Sequence, residues 1–497
     1  MRPEVGDAGT YFYHSHEGFQ AVTAHGPLIV QDAAEPPYQY DDEFQLMIGD
    51  WYTKTDSEVE SALRSKSFQW PGGPESLVLN GNSGTPSDGY GSDDFCGLSV
   101  VTVRPGTTYR VRWTSTCALA YTIVDIEDHT SMAIIETDGR YTKPAQTDHM
   151  QLGSGQRFSS LLVTKSQSEL DADGKGGQYW INYRTPDGPA GYKSGKALLQ
   201  YDTGNDNGSL ADISPSSYTK RSPHHKHPSA PPHGHVPGKT KVSVDDTLTT
   251  WLEYTLETLV ATHFPTLGEV TRTLQINVTM DTDRSGMLKF QLNDLSWDQA
   301  SFQSRPGAAP YLIDAYVQQR TPDYDAAAAN FGWDPATLGF PVRVGEVIDI
   351  VWQQTNVDAR QSYDYHPMHA HGERYWDLGA GSGQYDPAEN ERRFANYTPA
   401  QRDTTMLYSY NAGETGEDTS AWRAWRIRVT EENVGAWIMH CHVLHHMIMG
   451  MQTIWVFGDA TTILSKLPYP YISGYLEYGG SAYGNDSYDP LVLSYFG

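Results

Sequence analysis

Positive charge is scarce in this sequence. Lys and Arg number 35 against 61 Asp and Glu, a formal charge of −26 over 497 residues. A nucleic-acid binder needs a basic footprint, so the balance argues against that class of partner. Long apolar runs are missing too, and no stretch approaches the ~18 residues of a membrane span. The opening MRPEVGDAGTYFYHSHEGF holds neither the basic n-region nor the apolar h-region of a secretory signal. Charged residues make up only 19 %, whereas aromatics reach 12 %, with 32 Tyr and 13 Trp. A hydrophobic share of 38 % is too high for a disordered chain. With 46 Gly and 29 Pro, short strands joined by turns are favoured over helical bundles. The length allows two to four domains of about 100–200 residues.

Gly9 to Asp32 reads as two strands with a turn near Gly18, and EFQLMIGD at Glu43–Asp50 opens a new set. From Ser76 to Asp202 strand follows strand: SLVLNG, LSVVTV, TYRVRWT, SMAIIETDG, SSLLVT, QYWINY and KALLQYD. Turn signals separate them, among them Arg104-Pro-Gly, Asp138-Gly, Gly153-Ser-Gly and Asp187-Gly-Pro. That spacing fits an all-β sandwich or barrel. Residues 206–245 break the pattern with many Pro and with His224, His225, His227, His233 and His235. Such a composition cannot bury apolar surface and reads as a linker, although a His-rich tract can also bind metal weakly. Strands resume with RTLQINVTM, EVIDIVWQQ, WRIRVT and MQTIWVFG, while WDQASF and PDYDAAAANFGW read as short helices or loops.

The chemistry gathers in three clusters: His14-Ser-His16, His366-Pro-Met-His369-Ala-His371, and His440-Cys441-His442-Val-Leu-His445-His446, with Met451 beyond. Cys441, His446 and Met451 recur five positions apart. A thiolate, an imidazole and a thioether on one loop, completed by His366, make a trigonal His₂Cys copper site with a weak axial Met. Side chains on a strand alternate faces, so Cys441 points one way while His440 and His442 point the other. His369 and His371 likewise share a face, as do His14 and His16. One such pair alone is usually a packing feature. Three pairs, one wrapped around a Cys, read as a multinuclear copper cluster.

GTYFYHSH, HPMHAHG and HCHVLHHMIMGM resemble three of the four signatures of the multicopper oxidases. Within that family the sequence is most similar to fungal-type ascorbate oxidases, with laccases more distant. GFQAVTAHGPLIVQD, ESLVLNG, YRVRWTSTCALAY, IIETDGRYTKP and YWDLG add to the likeness, which spans nearly the whole chain. The resemblance implies tandem cupredoxin-like Greek-key β-sandwiches, two complete and one partial. Residues 1–40 would be the end of a first domain, 41–205 a second, 206–245 a linker and 246–497 a third. Carried over by position, His366, Cys441, His446 and axial Met451 hold type 1 copper. His16, His371 and His440 hold one type 3 copper, His14 and His442 the other, and His369 the type 2 copper. The implied mechanism passes single electrons from a reductant to type 1 copper. From there they travel through Cys441 to His440 and His442, and the cluster reduces dioxygen to water. The full-length enzyme carries four coppers, and its partners are a small reductant and dioxygen.

The family's first signature, His-x-His-Gly, has no counterpart, because no His precedes His14. One type 2 ligand and one type 3 ligand are therefore lacking, and one imidazole is too few to hold the type 2 ion firmly. The roughly 40 residues before the second domain also fall short of the ~100 that a cupredoxin-like sandwich needs. A truncated N-terminus is the expectation, and a degenerate paralogue that keeps only type 1 copper is the alternative. Four sequons, at Asn207, Asn277, Asn396 and Asn485, favour a secreted glycoprotein whose signal went with the missing start. Cys96 and Cys117 could pair with each other. The resemblance instead ties Cys96 to the absent domain and leaves Cys117 a buried thiol.

For the substrate side, the resemblance makes His446 the point where electrons enter. Glu75 then stands where laccase-like enzymes bind substrate, or is a surface carboxylate. Trp376 packs beside the substrate or in the core. His445 relays protons to the cluster or serves packing. The negative charge favours a neutral phenol slightly over ascorbate. Copper-dependent oxidation of ascorbate or phenols is the leading reading, with oxygen reduction expected to be impaired in this chain by loss of the first His-x-His-Gly motif. Electron transfer without oxygen chemistry is the alternative, followed by a ferroxidase.

Overall fold

The computed structural model describes residues 6–83, 98–186, 191–203, 251–260, 263–283, 286–297, 311–354, 365–372, 374–408 and 420–466. The 206–245 segment, Cys96, most of WDQASF and the sequons at Asn207 and Asn485 lie outside them. The chain divides into two compact units. The first comprises Met1–Asp298, Val347–Ile427 and Met439–Gln452, and the second Gln299–Glu346, Arg428–Ile438 and Thr453–Gly497.

Strands dominate the first unit, as the turn-rich composition requires. One six-stranded sheet runs in the order Ser76–Leu79, Asp42–Trp51, Thr108–Ser115, Arg157–Val163, Met132–Thr137, Arg140–Thr147. A five-stranded sheet follows the order His149–Leu152, Thr122–Ile126, Gln178–Arg184, Ser194–Tyr201, Val100–Val103. In both, one parallel pairing interrupts the antiparallel ladder: Asp42–Trp51 with Thr108–Ser115, and Ser194–Tyr201 with Val100–Val103. A second six-stranded sheet is built from Leu288–Leu292, Arg272–Thr282, Val347–Gln354, Ala421–Arg428, Tyr375–Ser382 and Gln401–Arg402. The strands foreseen from the hydrophobic pattern are present, and the architecture is that of tandem β-sandwiches.

Alternation on Thr108–Ser115 explains an unusual feature. Tyr109, Val111 and Trp113 share one face and are buried, as period-2 patterning demands. Arg110 and Arg112, on the opposite face, are buried as well. What covers them is a two-stranded ribbon of β1 (Gly9–His14) and His25–Val30, paired from Gly9↔Val30 to His14↔His25. Glu136 sits between the two guanidiniums, 2.7 Å from Arg110 and 3.9 Å from Arg112. The same carboxylate accepts the Thr10 N–H at 2.8 Å and the Thr10 hydroxyl at 2.9 Å. The ribbon is thus docked by buried charge, and that docking sets where His14 and His16 stand.

Burial alone would raise the Glu136 carboxyl, but Arg110 and Arg112 outweigh it and hold it at about 2. The unfolded chain, with its carboxyl near the usual ~4.3, takes up the proton first as pH falls. The stabilisation is therefore complete above about pH 5 and is lost as pH drops towards about 2. Glu136→Gln should cost about 3–5 kcal/mol at neutral pH, because it removes the buried carboxylate nearest Arg110, while Arg112 keeps Glu43 at 2.8 Å. It should also flatten the loss of stability on acidification. Urea unfolding of both proteins at neutral pH and near pH 3 measures this.

In the second unit Phe340–Val342 pairs in parallel with Gln452–Phe457. Helices Tyr311–Gln318 and Ala460–Lys466 contribute Tyr311, Ala315, Ala460 and Ile463 to a core shared with Val434 and Val456. The segment PDYDAAAANFGW forms the helix Tyr324–Ala329, capped by the Asp323 carboxylate accepting from the Ala326 N–H. No helix among the described residues is long and apolar enough to cross a membrane.

Candidate metal centre

Two further strands carry the remaining motifs, β2 (Tyr365–Ala370) and β3 (Gly435–Cys441), followed by the short helix α1 (Leu444–Ile448). In their antiparallel register Met368 faces Cys441 and His369 faces His440. Alternation then sorts the ligating side chains. His366, Met368 and Cys441 share one face, while His369, His371, His440 and His442 share the other.

On the first face Cys441 Sγ lies 3.5 Å from His446 Nδ1 and 3.8 Å from His366 Nδ1, and the two nitrogens are 3.0 Å apart. All three residues are buried. Met451 is buried beside them: its carbonyl accepts the Cys441 N–H at 3.1 Å, and its N–H donates to the His446 carbonyl at 3.0 Å. The tight turn after β3 therefore holds thiol and imidazole together and ties the Met451 backbone to both residues.

On the second face His16 Nε2 and His371 Nε2 each lie 3.2 Å from His440 Nε2. His14 and His442 stand with ring centroids 5.1 Å apart, and His369 lies 5.5 Å from both His440 and His442. The outer nitrogens are fixed. Nδ1 of His14, His440 and His369 faces the carbonyls of Ser15 (2.8 Å), Cys441 (2.8 Å) and Asp403 (2.9 Å). A carbonyl only accepts, so these Nδ1 atoms carry the proton and Nε2 keeps its lone pair. His442 Nδ1 is held by the Ser154 hydroxyl at 3.0 Å. Hydrogen bonds of this kind orient metal-ligating imidazoles.

Burial, then the neighbouring imidazoles, lowers the protonation of His16 to about 4 and of His371 to about 2, and pushes His440 and His442 well down. At ordinary pH these rings are neutral, the form that binds metal. Converging lone pairs on neutral, pre-oriented imidazoles fit a cluster of borderline metal ions, and the Cys-containing set fits copper.

Other expected positions fall differently. His445 is wholly buried against the rings of Phe19, Tyr52 and Trp70 at 5.1, 5.9 and 5.2 Å. Burial lowers its protonation to about 3, against the smaller opposing effect of a backbone hydrogen bond at Ala118. Three aromatic rings around His445 are the setting of a packing role, the second of its two expected roles. Glu75 is exposed and accepts the Thr53 hydroxyl at 2.8 Å, and no contact to His446 exists among the described residues. Trp376 is a core position packed on Phe264. His446 is only 6 % exposed, with the ring of Phe290 4.6 Å away. Cys117 is a buried free thiol.

Phe290, Ser154 and Gly155 were not foreseen. Gly155 has φ +82°, and a Cβ there would stand 2.5 Å from His442 Cδ2, so only glycine lets this turn approach the imidazole. Gly153-Ser-Gly is legible as a turn, but nothing local says what it packs against.

A His₂Cys set and an all-imidazole set, back to back on β-sandwich strands, define a copper-binding redox protein. The sequence matches the multicopper oxidase family over residues 42–203 and again over 308–459. It is 44 % identical to multicopper oxidase aurL2 of Gibberella zeae, covering 100 % of this chain and 80 % of the relative. It is 37 % identical to laccase-like multicopper oxidase 1 of Thermothelomyces thermophilus (99 % and 78 % covered), and 26 % identical to the L-ascorbate oxidase of Cucumis sativus (93 % and 75 % covered). Among solved structures, the laccase from Botrytis aclada superposes with a TM-score of 0.62 at 19 % identity, covering 92 % of this chain and 71 % of that one. The chain belongs to the multicopper oxidase family, copper-dependent oxidoreductases that couple oxidation of a reductant to reduction of dioxygen.

Proposed function

We propose that this chain oxidises a small reductant, a phenol or ascorbate, one electron at a time and delivers four electrons to dioxygen. The observation that carries this reading is the position of Cys441. Its sulfur belongs to one donor set, while its covalent neighbours His440 and His442 belong to the other.

On this reading His366, Cys441 and His446, together with Met451, would hold the type 1 ion. His16, His371 and His440 hold one type 3 ion, His14 and His442 the other, and His369 the type 2 ion. Copper bound there supplies one-electron acceptance at the sulfur site and multi-electron oxygen reduction at the imidazole site. The residues do the rest. Phe290 and the buried surroundings exclude water from His366 and His446. The carbonyls of Ser15, Asp403 and Cys441 hold the Nδ1 protons, which leaves the Nε2 lone pairs available to bind metal. The two peptide links flanking Cys441 give the shortest route between the sites. Residues 1–40, 41–205 and 246–497 then belong to three successive cupredoxin-like domains.

The copper-loaded full chain should consume oxygen with ascorbate and with a methoxyphenol, and absence of uptake with both would overturn the reading. A second reading, electron transfer without oxygen reduction, rests on the Cys441 face, whose buried His₂Cys donor set stands complete apart from the imidazole cluster. Counting copper per chain separates the two, with about four ions for the first and about one, blue, for the second.

Secretion belongs to the same proposal. The sequon residues Asn277 and Asn396 are both exposed and open to glycosylation. Protein from a secreting host should lose mass on treatment with an endoglycosidase, and an unchanged mass would argue against it.

A further inference from the structure

Arg157 opens the strand Arg157–Val163 and is buried. It is neither a ligand nor next to one in sequence, yet its guanidinium touches three segments that lead to the imidazole set. Nε donates to the Thr10 carbonyl at 3.3 Å, 147 positions away, on the strand that ends at His14. Nη1 donates to the Gly155 carbonyl at 2.9 Å, in the turn that presses on His442 and whose Ser154 holds His442 Nδ1. Nη1 and Nη2 together form a bidentate pair with Asp403, at 2.7 and 2.6 Å and 246 positions away. The Asp403 carbonyl accepts from His369 Nδ1 at 2.9 Å. Asp138 adds a further carboxylate oxygen 3.4 Å from Nη1.

We propose that Arg157 is a positioning residue for the imidazole cluster, one rigid fork that fixes β1, the Ser154–Gly155 turn and Asp403 relative to one another. It thereby places His14, His442 and His369. The inference rests on the reading of those histidines as metal ligands. Planarity is what the role requires: four donor contacts in three directions match a guanidinium and exceed what an ammonium supplies as a point charge. Arg157→Lys therefore keeps the charge and loses the geometry. Nothing in this linkage reaches Cys441, His366 or His446, so the blue site stands apart from it.

The test compares copper-loaded wild type, Arg157→Lys and Arg426→Lys. Arg426 is an equally buried arginine, paired bidentately with Asp349 at 2.7 and 2.8 Å, and serves as the control for general destabilisation. Copper count, the blue absorption band and the paramagnetic resonance of the non-blue copper are recorded for each. Arg157→Lys should keep the blue band, weaken binding of the remaining copper about 10- to 100-fold and alter its resonance, as loss of an outer support does. Arg426→Lys should leave that resonance unchanged. A normal resonance and full copper complement in Arg157→Lys, or equal damage in Arg426→Lys, overturns the proposal.

If Arg157→Lys does not fold, Asp403→Asn breaks the bidentate pair while keeping the carbonyl that holds His369, and the same outcomes apply. Should wild type hold blue copper alone, the reading of the histidines as a filled cluster fails on its own. The positioning role is then decided on copper-free protein labelled at histidine. The Nδ1–H resonances of His369 and His442 should be slow to exchange in wild type and lost in Arg157→Lys. Unchanged resonances overturn the role.

Discussion

Replacing Cys441 by serine removes the blue colour and all reductant-driven oxygen uptake, a loss on the order of a thousandfold or more, as when an obligatory group of a catalytic unit is deleted. The argument is chemical. Sγ has two imidazole nitrogens within 4 Å, and a serine hydroxyl is neither soft nor ionised near neutral pH. The fold should survive, because the change is nearly isosteric. The cost, about 1–3 kcal/mol, comes from a buried hydroxyl without a partner. The imidazole set is untouched, so copper bound to it should persist. An absorption spectrum, a copper count and oxygen-electrode traces on one preparation check all three statements. A retained blue band would contradict the assignment of the thiolate.

His371→Ala should give the complementary phenotype. It deletes one of the two nitrogens standing 3.2 Å from His440 Nε2 and leaves the Cys441 face intact. The blue band should therefore remain, and a reductant should bleach it without oxygen as fast as in wild type. Return of the colour on admitting oxygen should be lost, with steady-state uptake falling at least about a hundredfold. Stopped-flow measurement of bleaching and re-colouring separates the two halves. If His371→Ala bleaches slowly but re-colours normally, the two donor sets have been assigned the wrong way round.

Much of this centre is legible in the sequence because its donors come as short-range pairs on strands. Once His440-Cys-His442 is read as extended chain, alternation alone places the sulfur opposite the imidazoles, and the register of His369 on His440 agrees. What holds the donors in place was not legible. Ser154 with Arg157, Phe290 and Asp403 come from three other segments, and no local pattern announces such long-range contacts. TYRVRWT is legible as a strand, but the packing of the β1 ribbon on its arginine face, where Arg110 pairs with Glu136 and Arg112 with Glu43, is not. His445, for which relay and packing both stood open, is the opposite case. It lies inside a metal motif, yet its neighbours are the rings of Phe19, Tyr52 and Trp70. Helices Asp56–Leu63 and Gln167–Asp173 were also missed, although Thr55 with Glu58 and Ser166 with Glu169 form capping boxes readable as a Thr or Ser three residues before a Glu.

The most direct test of the central claim is one mixing experiment on the copper-loaded 497-residue chain. The protein is reduced with ascorbate under argon until the blue band vanishes, freed of excess reductant, and mixed with oxygenated buffer. Electron passage from the Cys441 site to an oxygen-reducing imidazole cluster predicts rapid return of the blue band, with about one dioxygen consumed for every four electrons stored. A chain that stays bleached, or re-colours without consuming oxygen in that proportion, would contradict it.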